Sequence, residues 1–259
     1  MNIHLYGITF ISKTNFLSNP TTSFSPQAYA RTAGVLYLII ILAGFAGEML
    51  VRNQLVVSGN AAATYDHILH SPVLWRLGIA GDLIMHICDI PLMLILYVLL
   101  KPVHKHLAML ALLFTVMQTA VLVANKSNLL TPLFLVGDAD YLKNLGRPQL
   151  EAFTYLSIKM HEYGFGIGLI FFGCAILVSG YLIIKSGYLP KWIGIMMQIA
   201  GLCYLINSFS LILAPQLANK LFPLILLPSF IAELSFCLRL LIKGVNVLKW
   251  KEKANQLHA

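Results

Sequence analysis

Six stretches of about 20 largely apolar residues determine what this 259-residue chain can fold into. The hydrocarbon core of a bilayer is about 30 Å thick, and a helix needs roughly 20 apolar residues to cross it. None of the stretches alternates polar and apolar residues as a membrane β-barrel strand must. The sequence therefore predicts an all-α fold, a polytopic integral membrane bundle of six transmembrane helices. The predicted helices cover approximately residues 32–50, 77–100, 107–124, 162–184, 192–213 and 221–242.

Composition supports a lipid environment and argues against a nucleic-acid partner. Hydrophobic residues make up 58% of the chain and charged residues only 11%, whereas soluble domains carry about 25% charged residues. The formal net charge is +8, but the Lys and Arg residues are scattered between the apolar stretches and do not form one basic face. We expect the lipid bilayer as a partner and no nucleic acid. The sequence indicates no oligomeric state.

The distribution of basic residues predicts the orientation in the membrane. With a cytoplasmic N-terminus, 11 of the 18 Lys and Arg residues fall on the cytoplasmic side, as the positive-inside rule favours. We therefore expect a protein of the cytoplasmic (plasma) membrane with both termini in the cytoplasm. The expected organisation is a flexible cytoplasmic tail over residues 1–28, a six-helix domain over 29–246, and a basic cytoplasmic tail over 247–259.

Ionisable residues inside the apolar stretches identify a candidate site. Asp82, His86 and Asp89 are spaced i, i+4, i+7, which places them on one face of the second helix. Glu233 lies near the middle of the sixth helix. A charge at the bilayer centre costs about 2.5–3.5 kcal/mol on the insertion scale, so such residues usually face the bundle interior and serve a function. We predict that these four residues line an outward-facing polar cavity that binds a cation, a proton or a small polar solute. The alternative is that each is neutralised by a neighbour, Asp82 by Arg76.

Three further candidates lie near the predicted outer ends of helices, namely Glu48, His161 and Glu162. A carboxylate costs little near the interface, so pairing of Glu48 with Arg52 and of Glu162 with Lys159 is the favoured interpretation.

A metal site is the runner-up interpretation. No cofactor is predicted, but a divalent metal would find its ligands among His86, His161, Asp82 and Asp89, because imidazole and carboxylate are zinc ligands. The sequence has no His-Glu-x-x-His motif to strengthen this reading.

Several motifs resemble one known family. They include GYLIIKSGYLPKWIG at 180–194 with AGLCYLI at 200–206, RTAGVLYL at 31–38 and LYVLLKP at 96–102. The chain is similar, from residue 27 to about 250, to the bacterial multi-pass membrane proteins grouped as domain of unknown function 4386 (DUF4386). The resemblance implies a multi-pass membrane protein and implies no activity.

The leading functional hypothesis is a small-solute, ion or proton-coupled transporter or channel-like protein. The alternatives are an intramembrane metal-dependent hydrolase and a non-catalytic membrane sensor or assembly subunit.

Overall fold

Helices form nearly all of residues 25–256, the part of the protein that the computed structural model describes. Short segments extend two of them: π-helical Ala46–Arg52 and then Asn53–Leu55 continue the helix Pro26–Phe45, and π-helical Arg239–Lys243 continues the helix Leu227–Leu238. Single 3-10 turns lie at Asp140–Leu142 and Leu224–Leu226. The α-helices are α1 Pro26–Phe45, α2 Ala61–His70, α3 Pro72–Leu100, α4 Lys105–Asn125, α5 Ser127–Leu135, α6 Arg147–Ser186, α7 Lys191–Leu213, α8 Pro215–Leu221, α9 Leu227–Leu238 and α10 Val247–Gln256.

Six helical segments of the described chain are long and apolar enough to cross a membrane, which confirms the predicted six-helix membrane bundle. Large apolar side chains such as Leu77 and Ile87 are exposed on its outer surface, at 62% and 68%. Apolar exposure on this scale requires lipid rather than water. The segments are Pro26–Leu55, Pro72–Leu100, Lys105–Leu135, Arg147–Ser186, Lys191–Leu213 and Leu224–Lys243.

The first span begins on the side of the bundle on which the last span ends. The Gln27 amide nitrogen donates to the Lys243 carbonyl at 3.1 Å, and the Val245 amide donates to Gln27 Oε1 at 3.2 Å. Most of the predicted N-terminal tail lies outside the described residues, but α1 begins at Pro26, ahead of the predicted boundary at residue 29. The predicted C-terminal tail contains helix α10.

Close helix packing depends on glycine at the α6–α7 contact. A Cβ atom at Gly180 would lie 2.8 Å from the Gly194 carbonyl oxygen, and one at Gly194 would lie 2.6 Å from the Gly180 carbonyl oxygen. Gly173 and Gly201, each seven residues away, meet in the same way, with Cβ to oxygen distances of 3.0 and 2.9 Å. Only residues without a side chain allow two helix backbones to approach so closely.

The apolar core has two parts with polar residues between them along α3. The smaller part surrounds Trp75, whose indole nitrogen donates to the Leu129 carbonyl at 2.8 Å. The larger part includes Leu92 and Leu99 of α3 and Tyr188 of the α6–α7 hairpin. Asp82, His86 and Asp89 lie between these two parts.

Candidate functional site

The three candidate site residues of α3 have different surroundings although they share one face of the helix. Asp82 and Asp89 are seven residues apart, which corresponds to about 10 Å along the helix axis. Asp82 and His86 are almost fully buried, at 1% and 2% exposure. Asp89 is partly accessible, with its side chain 14% exposed.

Asp82 is the buried centre of a cluster of charges between three membrane spans. Its Oδ2 accepts from Arg52 Nη1 at 2.8 Å and from Lys126 Nζ at 2.8 Å. Arg52 also donates through Nε to Glu48 Oε2 at 2.7 Å. Two cations thus face two carboxylates, and the Glu48–Arg52–Asp82–Lys126 cluster is neutral as a whole when all four groups are charged.

The structure decides between the sequence-based ion pairs. The prediction that Arg76 neutralises Asp82 is wrong: Arg76 is exposed and forms no ion pair within residues 25–256. Residues six apart on a helix differ by about 240° in direction, so the two side chains point away from each other. The pairs Glu48–Arg52 and Glu162–Lys159 are confirmed, each with an N–O distance of 2.7 Å.

His161 lies in a separate hydrogen-bonded contact between α4 and α6. The Asn125 side-chain amide lies 3.0 Å from His161 Nδ1 and donates to the His161 carbonyl at 2.8 Å. A Cβ atom on Gly164 would lie 2.2 Å from Asn125 Oδ1, so glycine is needed there for this approach. The contact ties the two helices together through a polar pair.

The four candidate metal ligands do not converge. Asp82 is bound by Arg52 and Lys126, His86 contacts Asp89, and His161 contacts Asn125. Among the described residues there is no group of three or more His, Cys, Asp or Glu side chains placed to hold a metal ion.

Two of the four predicted site residues, Asp89 and Glu233, line one internal cavity. Its volume is about 80 Å³, and all six membrane spans contribute to its wall. The smaller core part around Trp75 does not. Asp89 of α3 and Glu233 of α9 thus contribute to the wall of the same cavity. Asp82 and His86 are not part of the cavity wall. The structure therefore brings together half of the predicted set.

Two tyrosines hold the Glu233 carboxylate. Tyr37 of α1 donates its hydroxyl to Glu233 Oε2 at 2.8 Å, and Tyr204 of α7 donates to Glu233 Oε1. Both carboxylate oxygens are thus engaged by neutral donors, and the carboxylate is fixed between three helices.

His86 contacts Asp89 but is not part of the cavity wall. His86 Nδ1 lies 3.1 Å from Asp89 Oδ2, and because a carboxylate can only accept, Nδ1 carries the proton when Asp89 is ionised. Asp89 Oδ1 has no hydrogen-bond partner among residues 25–256, which leaves this oxygen available to the cavity.

The cavity lies on the side of Asp89 that is away from the Asp82 cluster. From Asp89 it runs along Met93, Leu96 and Leu100 towards the end of α3, the end that the distribution of basic residues predicts to be cytoplasmic. An outward-facing cavity was expected because most ionisable residues fall in the predicted outer half. Of those residues, Glu48 and Asp82 are neutralised within the Asp82 cluster, and the cavity begins beyond it at Asp89.

Comparison with known families gives one match. The pattern of the domain of unknown function DUF4386 matches residues 32–244. The chain belongs to this family. No curated protein and no solved structure matches it. The described architecture therefore shows what a DUF4386 chain forms, a six-span bundle with a carboxylate-lined cavity.

Sequence reasoning missed three residues of this DUF4386 protein that bind the candidate carboxylates, namely Tyr37, Tyr204 and Lys126. Tyr37 and Tyr204 carry no pattern that distinguishes them from other membrane tyrosines. Lys126 lies beyond the predicted third helix, residues 107–124, but it is buried at 4% exposure between α4 and α5. The apolar residues Leu129 and Leu133, which continue the helical spacing beyond Lys126, were the available signal.

Proposed function

We propose that this protein is a membrane transporter whose cavity binds a proton or a small cation at Asp89 and Glu233. The observation that supports the proposal is the pairing of two carboxylates on one cavity inside a membrane bundle. Within residues 25–256, no Lys or Arg side chain pairs with either of them. Two like charges in an apolar interior favour the uptake of a compensating positive charge.

The Asp82 cluster provides an internal contrast. There, two cations of the chain itself neutralise the carboxylates, so the cluster needs no ligand and serves to join helices. At Asp89 and Glu233 the chain supplies only neutral donors and an imidazole. Ionisable residues in membrane spans that lack an internal counter-charge typically mark ion or substrate pathways.

The proposed orientation has both termini in the cytoplasm of a plasma membrane. The contact of Gln27 with Lys243 and Val245 supports a common side for the two ends of the helix bundle. In this orientation the cavity extends from the middle of the membrane towards the cytoplasm. A cysteine in place of Gln256 should react with a membrane-impermeant maleimide only in inside-out vesicles, and one in place of Asp140 only in right-side-out vesicles.

Proton or cation flux into vesicles tests the transport proposal. We would reconstitute the protein in liposomes, impose a membrane potential and record internal pH with a trapped dye, repeating the assay with Na⁺ or K⁺ as the only permeant cation. Asp89→Asn and Glu233→Gln keep side-chain shape but remove charge, and each should lower the flux at least about tenfold, as expected when a cation loses a buried charged partner. Asp140→Asn, at an exposed carboxylate paired with Lys143, is the matched control and should retain the flux. Undiminished flux in the Asp89→Asn/Glu233→Gln double variant would reject the proposal.

A further inference from the structure

We infer that the cavity binds a small organic monocation, a primary or methylated ammonium ion, in preference to an inorganic ion or an uncharged solute. The inference rests on the proposed function, because it names the class of cation that the Asp89–Glu233 cavity takes. Four features of the cavity support it: its aromatic wall, its scarcity of oxygen ligands, its size and its one free carboxylate oxygen.

The cavity wall is rich in aromatic side chains, which it places around two carboxylates. Tyr37, Tyr97, Phe172 and Phe236 all contribute to it. The rings are supported by one another: Tyr37 packs edge-to-face on Phe236 with centroids 6.2 Å apart, and Phe172 lies 5.3 Å from the ring of Tyr204. Aromatic rings attract weakly hydrated organic cations, and combined with a carboxylate they form the usual recognition site for alkylammonium groups.

The same wall is poorly suited to inorganic cations. Ca²⁺ and Mg²⁺ require about six or more oxygen ligands, and the hydroxyls of Thr115 and Ser179 add little to the two carboxylates. Most of the other lining residues are aliphatic, including Leu92, Leu96 and Ile176. A strongly hydrated ion would lose its water here without replacement, whereas the methyl or methylene groups of an organic cation gain from apolar contact.

The volume limits the ligand to a few non-hydrogen atoms. An apolar cavity of about 150 Å³ takes up benzene, so a cavity of about 80 Å³ holds a ligand of roughly half that size. Ethylammonium fits this limit, and tetraethylammonium exceeds it.

The hydrogen-bonding groups indicate where the ammonium nitrogen lies. Both oxygens of Glu233 already accept from Tyr37 and Tyr204. Asp89 lines the cavity, and its Oδ1 has no partner among the described residues. An ammonium N–H is a charge-assisted donor to a carboxylate, so we place it on Asp89, with Glu233 adding its charge from the other wall.

Ligand-observed NMR on the full-length protein in nanodiscs tests this inference. The probes are ethylammonium chloride, ethanol as the uncharged ligand of matching size, tetraethylammonium as the oversized cation, and NaCl as the inorganic competitor. We expect saturable ethylammonium binding with a Kd of about 1 mM, since so small a ligand can gain little more. Ethanol and tetraethylammonium should show no saturable binding, and an equal concentration of Na⁺ should not displace ethylammonium.

Two kinds of variant test the location. Asp89→Asn should weaken ethylammonium binding at least about tenfold, and Asp140→Asn should leave it unchanged. Thr115→Phe fills the cavity without changing its charge, and it should abolish binding even if Asp89→Asn fails to fold; size-exclusion elution of each variant reports folding.

Several results would overturn the inference: ethanol binding as tightly as ethylammonium, equal displacement by Na⁺, absence of ethylammonium binding, or normal binding to folded Thr115→Phe. Absence of ethylammonium binding together with carboxylate-dependent proton or Na⁺ flux would reject the organic ligand and leave the proposed transport function in place. Ethylammonium binding without any flux would support the ligand class and reject transport.

Discussion

His86 Nδ1 lies 3.1 Å from Asp89 Oδ2, one helical turn earlier on α3, and so connects the buried part of the polar face to the cavity. The other ring nitrogen, Nε2, is buried and has no partner among the described residues. His86 does not line the cavity, so its influence on a ligand passes through the orientation of Asp89.

The first prediction concerns His86 as a positioning residue. His86→Leu removes the donor to Asp89 and should weaken cation binding at least about tenfold, because a hydrogen bond to a charged group contributes about 1.5–3 kcal/mol. His86→Asn retains a donor near the position of Nδ1 and should restore most of the affinity. The measurement is the Kd of ethylammonium together with the proton flux in liposomes. If both variants lose the same amount of function, the hydrogen bond to Asp89 is not the reason.

The second prediction concerns the stability provided by the Asp82 cluster. Asp82→Ala leaves Arg52 and Lys126 in the bundle without their common carboxylate. Removal of one partner from a buried ion pair costs about 3–5 kcal/mol, so the unfolding midpoint in detergent should fall strongly. Asp140→Ala removes an exposed carboxylate paired only with Lys143 and should change the midpoint little. The double variant Asp82→Ala/Lys126→Met should be more stable than Asp82→Ala, because it removes one uncompensated charge; a further loss would show that Lys126 acts independently of Asp82.

The contacts that the sequence could predict are those within a single helix. Length and hydropathy determine the six spans, and helical spacing places Asp82, His86 and Asp89 on one face. Glu48–Arg52 and Lys159–Glu162 are four and three residues apart, where side chains on a helix meet without help from the rest of the fold.

The contacts between helices could not be predicted in the same way. The Asp82–Lys126 pair depends on α4 and α5 forming one long span, whereas the apolar run alone ends before Lys126. Whether Asp89 and Glu233 line the same cavity depends on the rotation and depth of α3 relative to α9. Helical periodicity specifies which residues share a face of one helix, but not which face of another helix they contact. The sequence therefore did not show that the polar face of α3 is divided between the Asp82 cluster and the cavity.

The third prediction tests the close approach of α6 and α7. Gly194→Ala places a Cβ atom 2.6 Å from the Gly180 carbonyl oxygen, and backbone on both sides prevents easy relief. Overpacking of this kind costs about 1–3 kcal/mol, which should appear as a lower unfolding midpoint in detergent. Gly81→Ala is the matched control, since nothing lies within 4 Å of the new Cβ atom. Equal stability of the two variants would mean that the helices separate without cost.

The fourth prediction concerns alkaline pH and the hairpin between α6 and α7. Tyr188 donates its hydroxyl to the Leu99 carbonyl at 2.6 Å, and Trp250 of α10 donates to the same oxygen at 3.0 Å. The last carbonyls of a helix have no partner within it, so these two donors complete the end of α3. Burial raises the pKa of Tyr188 above its ordinary value of about 10.

The sign of the pH effect follows from that shift. The unfolded chain releases the Tyr188 proton at lower pH than the folded protein, so the contribution of Tyr188 to stability is complete below about pH 10 and declines as the pH rises further. Tyr188→Phe should lower the free energy of unfolding by about 1 kcal/mol at neutral pH through the lost hydrogen bond. The variant should also lose less stability than the wild-type protein as the pH rises above about 10. The test is the unfolding midpoint of both proteins from pH 7 to pH 11. Every other tyrosine is common to the wild-type protein and Tyr188→Phe, so the difference between their unfolding midpoints should become smaller towards pH 11. A difference that stays constant over this range would show that Tyr188 does not titrate with unfolding.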